Sequence, residues 1–319
     1  MQNVRRGIVD FIIAIFAFPA GVLLRRARRA WRYMPMTRKV LRAAGVFPLR
    51  EHYYEPVVFA DYLHRPLTQK RSIPGLSLNE EGQLALLREL RYGDELRQIP
   101  LRKDKQAAGA SFCYYNGSFE VGDAEILYSM IRRSKPKRMF EIGSGHSTLM
   151  ARLAIARNRA EDTAYQCHHL CIEPYNQPWL EETGAEILRK RAELCDPALF
   201  DQLESGDILF IDSSHVIRTQ GDVLYEVLEV LGRLKPGVLI HIHDIFTPRD
   251  YLEKWVLEDQ RLWNEQYLVE AFLAFNDNFR ILLALNYLAC DRREELAQAC
   301  PIFADDSAAV PKSLWISRA

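Results

Sequence analysis

No Cys-x-x-Cys pair occurs among the six cysteines of this 319-residue chain, and their spacing outlines no disulfide framework. A small disulfide-stapled secreted domain is excluded, and a reducing cytoplasmic setting is the default. Internal repeats and low-complexity tracts are also missing, which excludes solenoids and long linkers. Net charge is absent as well, with 42 Lys and Arg against 42 Asp and Glu. No basic stripe is interleaved with stacking aromatic residues, so no nucleic-acid partner is expected. The apolar (48%) and charged (26%) fractions are those of a globular protein with a sizeable core.

The zero net charge hides an asymmetry. Residues 1–42 contain ten basic side chains and one acid, Asp10, so the rest of the chain is acidic by the same margin. Ile8–Leu24 is an almost wholly apolar run of 17 residues, preceded by Arg5-Arg6 and followed by Arg25, Arg26, Arg28 and Arg29. Spanning a bilayer takes about 20 apolar residues, with about 17 as the lower limit. A basic cluster follows where a cleaved signal would need small residues, so a secretory signal is not indicated. Three readings stand: a membrane anchor that spans or lies in the interface, a core helix, and a partner-binding helix. The anchor is preferred, because arginines within residues 5–32 suit anionic headgroups. It implies a cytoplasmic protein on the inner face of a membrane. The expected organisation is an anchor over 1–42, a lead-in module over 43–110 and a main domain over 111–319. In the lead-in, Asn79 is the expected N-cap of a helix from Glu80 to about Gln98, which Pro100 stops.

From about residue 120, helical segments alternate with apolar strands. Strands are expected at Arg138–Ile142, His168–Ile172, Ile208–Ile211, Val238–Ile242, Phe279–Leu285 and Ser313–Ile316, with a short one before Leu194. Helices are expected at Gly122–Arg133, Thr148–Ala160, within Trp179–Arg189, at Val223–Leu234 and as one long helix at Leu257–Phe275. Such alternation implies an α/β fold with a doubly wound, mostly parallel sheet. Ligands of such sheets bind beyond the carboxyl ends of the strands. Cys167 and Cys171 flank His168 and His169, which invites a metal reading, but small cysteines packed on a buried strand explain them better.

The strongest motif is Met139–Thr148, MFEIGSGHST, in which a strand runs through Glu141-Ile142-Gly143-Ser144-Gly145 into a helix. Glycine lets the backbone turn tightly and approach a ligand, and the helix start offers free N–H groups. A dinucleotide fingerprint would need a third glycine where Thr148 stands, and Glu141 would repel a pyrophosphate. Glu141 suits an ammonium group instead, directly or through water. This disfavours a nucleotide-dependent oxidoreductase. Glu173, at the end of the next strand, can accept both hydroxyls of a ribose.

The string Glu141-x-Gly143-x-Gly145 resembles motif I of class I S-adenosylmethionine-dependent methyltransferases. EIGSGHST, together with the upstream Asp123-Ala-Glu-Ile-Leu-Tyr, is similar to the methyltransferase family 24 type domain. The chain departs from the commonest pattern at Ser147, where a third glycine often sits. The resemblance implies a three-layer, seven-stranded sheet and S-adenosylmethionine as cofactor. It places the cofactor on Glu141, Gly143, Ser144, Gly145, Ser147, Thr148, Glu173 and Asp212.

Two further segments, Asp207–His215 and Lys235–Asp244, end in Asp212, His215, His243 and Asp244. If those strand ends are neighbours, the four side chains are the candidate catalytic set for deprotonating an acceptor hydroxyl. Asp212 and Asp244 are also candidate ligands for Mg²⁺, although Ile245 stands where catechol-type enzymes have Asn. A metal-free histidine base, with His215 ahead of His243, and a structural role for all four are the alternatives. His241 reads as a packed strand residue. Phe246–Trp255 and Leu262–Tyr267 are candidate walls of an acceptor site, and Tyr114, Tyr115 and Asn116 are candidate covers of the cofactor. The expected function is O-methylation of a glycan, a lipid-linked intermediate or a small molecule at a membrane surface. The alternative is a membrane-tethered scaffold that keeps the fold without the activity.

Overall fold

The computed structural model describes residues 2–52, 54–103 and 110–319, and the side chains of Arg5, Arg6 and Ile8 lie outside the described ones. The chain divides into two compact units, residues 65–252 with 263–319, and residues 1–64 with 253–262.

The larger unit carries a seven-stranded sheet in the order β3-β2-β1-β4-β5-β7-β6. The strands are β1 Arg138–Ile142, β2 His168–Ile172, β3 Glu186–Leu188, β4 Ile208–Ile211, β5 Leu239–Ile242, β6 Phe279–Ala284 and β7 Leu314–Arg318. The pairings among β1 to β5 are parallel, while β7 is antiparallel to both β5 and β6. The sheet is therefore the doubly wound, mostly parallel one expected. Burial on both faces explains the unbroken apolar run of β4, whose four residues are all within 1% of full burial. Helices Asp123–Ser134 and His146–Glu161 pack against each other beside β1.

Some elements differ from expectation. The helix from Glu80 ends at Glu89, and a short turn at Gly93–Leu96 follows. Asn79 does not cap it; its amide donates to the Ile281 carbonyl on β6 instead. Residues 222–233 form a short α-helix, Asp222–Tyr225, followed by a wider turn at Glu226–Val230 and a tight one at Leu231–Arg233. The long helix expected at Leu257–Phe275 is replaced by a turn at Lys254–Glu258 and a helix at Glu265–Leu273. Gln260 takes a left-handed conformation between them. The backbone N–H groups of Asn264 and Glu265 donate to the His215 carbonyl rather than to a preceding helical turn. Three helices between β6 and β7, Leu285–Asp291, Arg293–Ala299 and Pro301–Asp305, were not expected from periodicity.

The contacts of residues 43–99 are shared between the two units. Arg71 pairs with Glu270, and the Gln83 side chain accepts from the Ala284 amide, so residues 71–99 belong with the sheet. Residues 43–62 belong with the first helix. Arg28 makes a bidentate pair with Glu55 at 2.8 Å, and Trp31 meets Phe47 edge to face.

In the smaller unit, the helix Gln2–Arg29 contains Pro19, and Phe11, Ile13, Phe16 and Phe18 along it are all more than half exposed. Among the described residues, no helix is long and apolar enough to cross a membrane. The expectation that residues 8–24 span a bilayer is therefore not carried further.

Candidate functional site

The parallel ladder continues past the strand ends and builds the site. Gly143 N–H donates to the Ile172 carbonyl (3.1 Å), Asp212 N–H to Ile142 (2.8 Å) and His243 N–H to Ile211 (2.9 Å). The ends of β2, β1, β4 and β5 thus lie side by side. Gly143 takes φ +79, and a Cβ there would stand 1.9 Å from the Asp212 carbonyl oxygen. Only glycine fits both demands. Gly145 is different: its backbone is extended, and a Cβ there meets nothing within 4 Å. That open space lies at the start of the helix His146–Glu161.

Glu173 is buried under this turn. Its two oxygens accept from the N–H groups of Ser144 (3.1 Å) and Tyr175 (2.8 Å). It lines a cavity of about 300 Å³ together with Gly143, Tyr175, Glu193, Asp212 and Arg218. Glu193 and Arg218 carried no motif in the sequence. A second cavity of about 640 Å³, lined by Tyr115, Asn116, His146 and Trp179, contains none of Glu173, Asp212 or His215. Of the nominated residues, Gly143, Glu173 and Asp212 line the smaller one. Tyr115 and Asn116 therefore do not line the cavity of Glu173. Asn116 is spent on its own turn, and Tyr114 is fully buried with its hydroxyl on the Leu96 carbonyl.

Glu141 and Thr148 do not face the cavity either. Glu141 is fully buried. One oxygen accepts the Thr148 hydroxyl and lies 3.4 Å from Cys171 Sγ and 3.5 Å from His169 Nε2. Its other oxygen has no partner among the described residues. Thr148 Oγ1 in turn accepts from Gly145 N–H at 3.2 Å. The pair shapes the glycine turn from beneath, so direct contact of Glu141 with an ammonium is not what the geometry offers. Burial, followed by the charge of Glu141, pushes the Cys171 thiol well above its ordinary pKa. It acts as a protonated donor rather than a metal-binding thiolate. Ser147 is buried in the first helical turn, and Ser144 sits at the turn with its N–H on Glu173.

Asp212, His215 and Asp244 come together. His215 Nε2 is 3.2 Å from Asp212 Oδ1 and 3.4 Å from Asp244 Oδ2, while Nδ1 is 2.8 Å from Glu265 Oε2. Burial opposes a charge on this imidazole. Asp212 and Glu265 outweigh it and hold the His215 pKa well above the ordinary value. Burial also opposes ionisation of Asp212, but His243 and His215 keep its carboxyl well below the usual range. Asp212 is the open member of the cluster, its side chain 34% exposed. The Trp263 ring lies against His215 with centroids 4.3 Å apart, and Tyr251 meets Trp263 edge to face. Within the other proposed wall, Phe246 and Tyr251 are core residues, and Trp255 belongs to the smaller unit.

His243 stays outside the cluster. It is buried in a stack with His241 and beside Phe119, its Nε2 3.7 Å from Asp244 and without a hydrogen bond. His241 lies flat on Phe210 at 4.1 Å, and burial, then His243, keeps its pKa well below the ordinary value.

Two residues of the site were missed from the sequence. Glu265 was concealed by the expected long helix. Lys312, just before β7, places Nζ 3.1 Å from Asp244 Oδ1 and has no motif around it. It also bears on the Mg²⁺ expectation. The donor atoms of Asp212, His215 and Asp244 lie within 4.8 Å of one another, a spacing compatible with a cation. A hard cation wants about six oxygen ligands. Here Asp244 Oδ1 already faces the Lys312 ammonium and Oδ2 the His215 ring, and Ile245 is buried and offers no side-chain donor. The residues present do not fit Mg²⁺.

Residues 140–245 match the family model of a methyltransferase domain. The chain is 27% identical over 185 residues to an uncharacterized protein of Archaeoglobus fulgidus, covering 53% of this chain and 80% of that protein. An O-methyltransferase of Bacillus cereus, solved in complex with SAH, superposes with a TM-score of 0.39 at 13% identity, over 74% of this chain and 91% of that one. The glycine turn between β1 and the helix His146–Glu161, and the strands β2, β4 and β5 with most of β1, thus lie in the stretch that is similar to a methyltransferase domain.

Proposed function

We propose that the protein transfers the methyl group of S-adenosylmethionine to a hydroxyl oxygen of its acceptor. The observation that carries this is the imidazole of His215, held between Asp212, Asp244 and Glu265 at the ends of β4 and β5. In this reading the open space at Gly145 and the free N–H groups of the following helix receive the methionine end. Glu173 turns toward the ribose. The acceptor oxygen forms its bond to the methyl carbon as the carbon–sulfur bond breaks, its electron pair going to sulfur. The acceptor's proton passes to Nε2 of a neutral His215, and positioning supplies most of the remaining rate. The half-exposed Trp263 beside His215 would wall an apolar or aromatic part of the acceptor.

A scaffold that only binds S-adenosylmethionine would keep Gly143 and Glu173 but has no use for a buried imidazole among three carboxylates. The experiment is release of S-adenosylhomocysteine from purified protein across glycan, lipid-linked and phenolic acceptors, beside calorimetric binding of S-adenosylmethionine. Binding without release from any acceptor would overturn the transferase reading in favour of the scaffold.

The reading extends to the smaller unit. The exposed Phe11, Phe16 and Phe18, followed by Arg25, Arg26 and Arg29, suit a helix lying in the headgroup region of an anionic cytoplasmic leaflet. Co-sedimentation with phosphatidylglycerol vesicles should fall sharply in Phe16→Asp/Phe18→Asp. Unchanged co-sedimentation would remove the membrane from the proposal.

A further inference from the structure

We propose that Lys312 is a positioning residue that stands in for a divalent cation, holding Asp244 against His215 so that methyl transfer needs no Mg²⁺. The inference rests on the O-methyl transfer reading above.

The geometry of Asp244 is the first support. Its two oxygens face two different partners, the Lys312 ammonium at 3.1 Å and Nε2 of His215 at 3.4 Å. A divalent ion between Asp212 and Asp244 would have to sit beside the Lys312 ammonium. Like charges at such distances repel strongly in a buried site.

The second support is that the main chain around Lys312 is clamped. Lys312 N–H donates to both Asp123 oxygens, at 2.9 and 3.2 Å, and Ser313 N–H donates to the same carboxylate at 2.8 Å. The Lys312 carbonyl accepts from Ile245 N–H at 2.7 Å. Ile245 is the residue after Asp244, so this bond ties the lysine's backbone directly to the strand end it serves. Asp123 is itself buried at the start of the helix Asp123–Ser134. A flexible surface lysine has no such mooring. The ammonium takes no proton in the reaction and gives none. It fixes the carboxylate that faces the imidazole, while the acceptor's proton goes to His215.

The test compares the wild type, Lys312→Met and Lys312→Arg by Mn²⁺ binding followed by electron paramagnetic resonance, by S-adenosylmethionine binding and by steady-state rates. The wild type should bind no Mn²⁺ tightly and keep its rate in EDTA. Lys312→Met should retain cofactor affinity and lose about 10–100-fold in kcat, the range expected when a residue supporting a reacting group is lost. It should also gain Mn²⁺ binding and recover part of its rate with Mn²⁺ or Mg²⁺. Lys312→Arg keeps the charge and should stay close to the wild type, which guards against a variant that merely misfolds. A wild type inactivated by EDTA and restored by Mg²⁺ would overturn the proposal, as would a Lys312→Met enzyme with unchanged kcat. Mn²⁺ binding needs no acceptor, so it still decides the role of Lys312 if no acceptor hydroxyl is found and the transfer reading itself fails.

Discussion

Gly143→Ala and Gly145→Val should separate the structural from the binding role of the glycine turn. At Gly143 the new Cβ would stand 1.9 Å from the Asp212 carbonyl oxygen, about half a normal contact, in a backbone already at φ +79. The left-handed conformation costs an alanine about 1–2 kcal/mol. Forcing a methyl group into a packed contact adds about 1–3 kcal/mol. The neighbouring atom is backbone, so it cannot swing away. Relief requires β1 and β4 to separate, which would loosen the bond from Asp212 N–H to Ile142. The sum is a loss of about 2–5 kcal/mol, or roughly 5–20 °C in Tm for a unit of this size. At Gly145 the backbone is extended and the space around a Cβ is open, so Gly145→Val should melt within a few degrees of wild type. It should nevertheless abolish S-adenosylmethionine binding, because its side chain occupies the space assigned to the methionine end. Differential scanning fluorimetry with calorimetric titration measures both quantities. A Gly143→Ala protein of unchanged Tm would refute the steric argument. A Gly145→Val protein that binds normally would refute the placement of the cofactor.

Three further outcomes are expected. Glu265→Gln removes a partner that raises the His215 pKa, so the alkaline rise of kcat with pH should move to lower pH; a profile that stays in place would mean that His215 is not the base. Burial pushes the Glu125 carboxyl up to about 7, against the backbone N–H groups of Ile302, Gly122 and Phe303. The folded state therefore holds this proton more tightly than the unfolded one, and stability should fall as pH rises from the ordinary carboxyl range through about 7. Urea unfolding of wild type and Glu125→Gln at both ends of that window checks the sign, since the variant should lose that slope. Trp263→Ala should raise KM for the acceptor and leave S-adenosylmethionine affinity unchanged; a loss of cofactor affinity instead would place this ring on the wrong ligand.

The local pattern of the sequence was enough for the parallel half of the fold. β4 is legible because a strand buried on both faces reads as an unbroken apolar run, and β1, β2 and β4 each stop just before a polar residue or glycine. The requirement for glycine at 143 is also legible, because a strand that turns at once into a helix needs a residue free of Cβ. Other features depend on contacts distant in sequence. Asn79 looked like a helix cap, but an acceptor 202 residues away claims its amide. The helix expected through 257–275 fails because the His215 carbonyl captures the amides of Asn264 and Glu265.

The site divides in the same way. Sequence alone nominated Asp212, His215, His243 and Asp244, since all four stand at strand ends. Side-chain direction then separated them: His243, two residues after His241, shares its face and is buried in the same aromatic stack, whereas His215 turns to meet both aspartates. Glu141 and Thr148, nominated as cofactor contacts, turned inward and bind each other. Glu265 and Lys312 entered the site only in three dimensions. They arrive 50 and 97 residues after His215, on elements whose local sequence says nothing about where they dock. The sequence by itself determined the class of fold and the glycine turn, because periodicity and backbone sterics are local. Tertiary structure decided which charges surround the imidazole, because electrostatic neighbours are set by packing rather than by position along the chain.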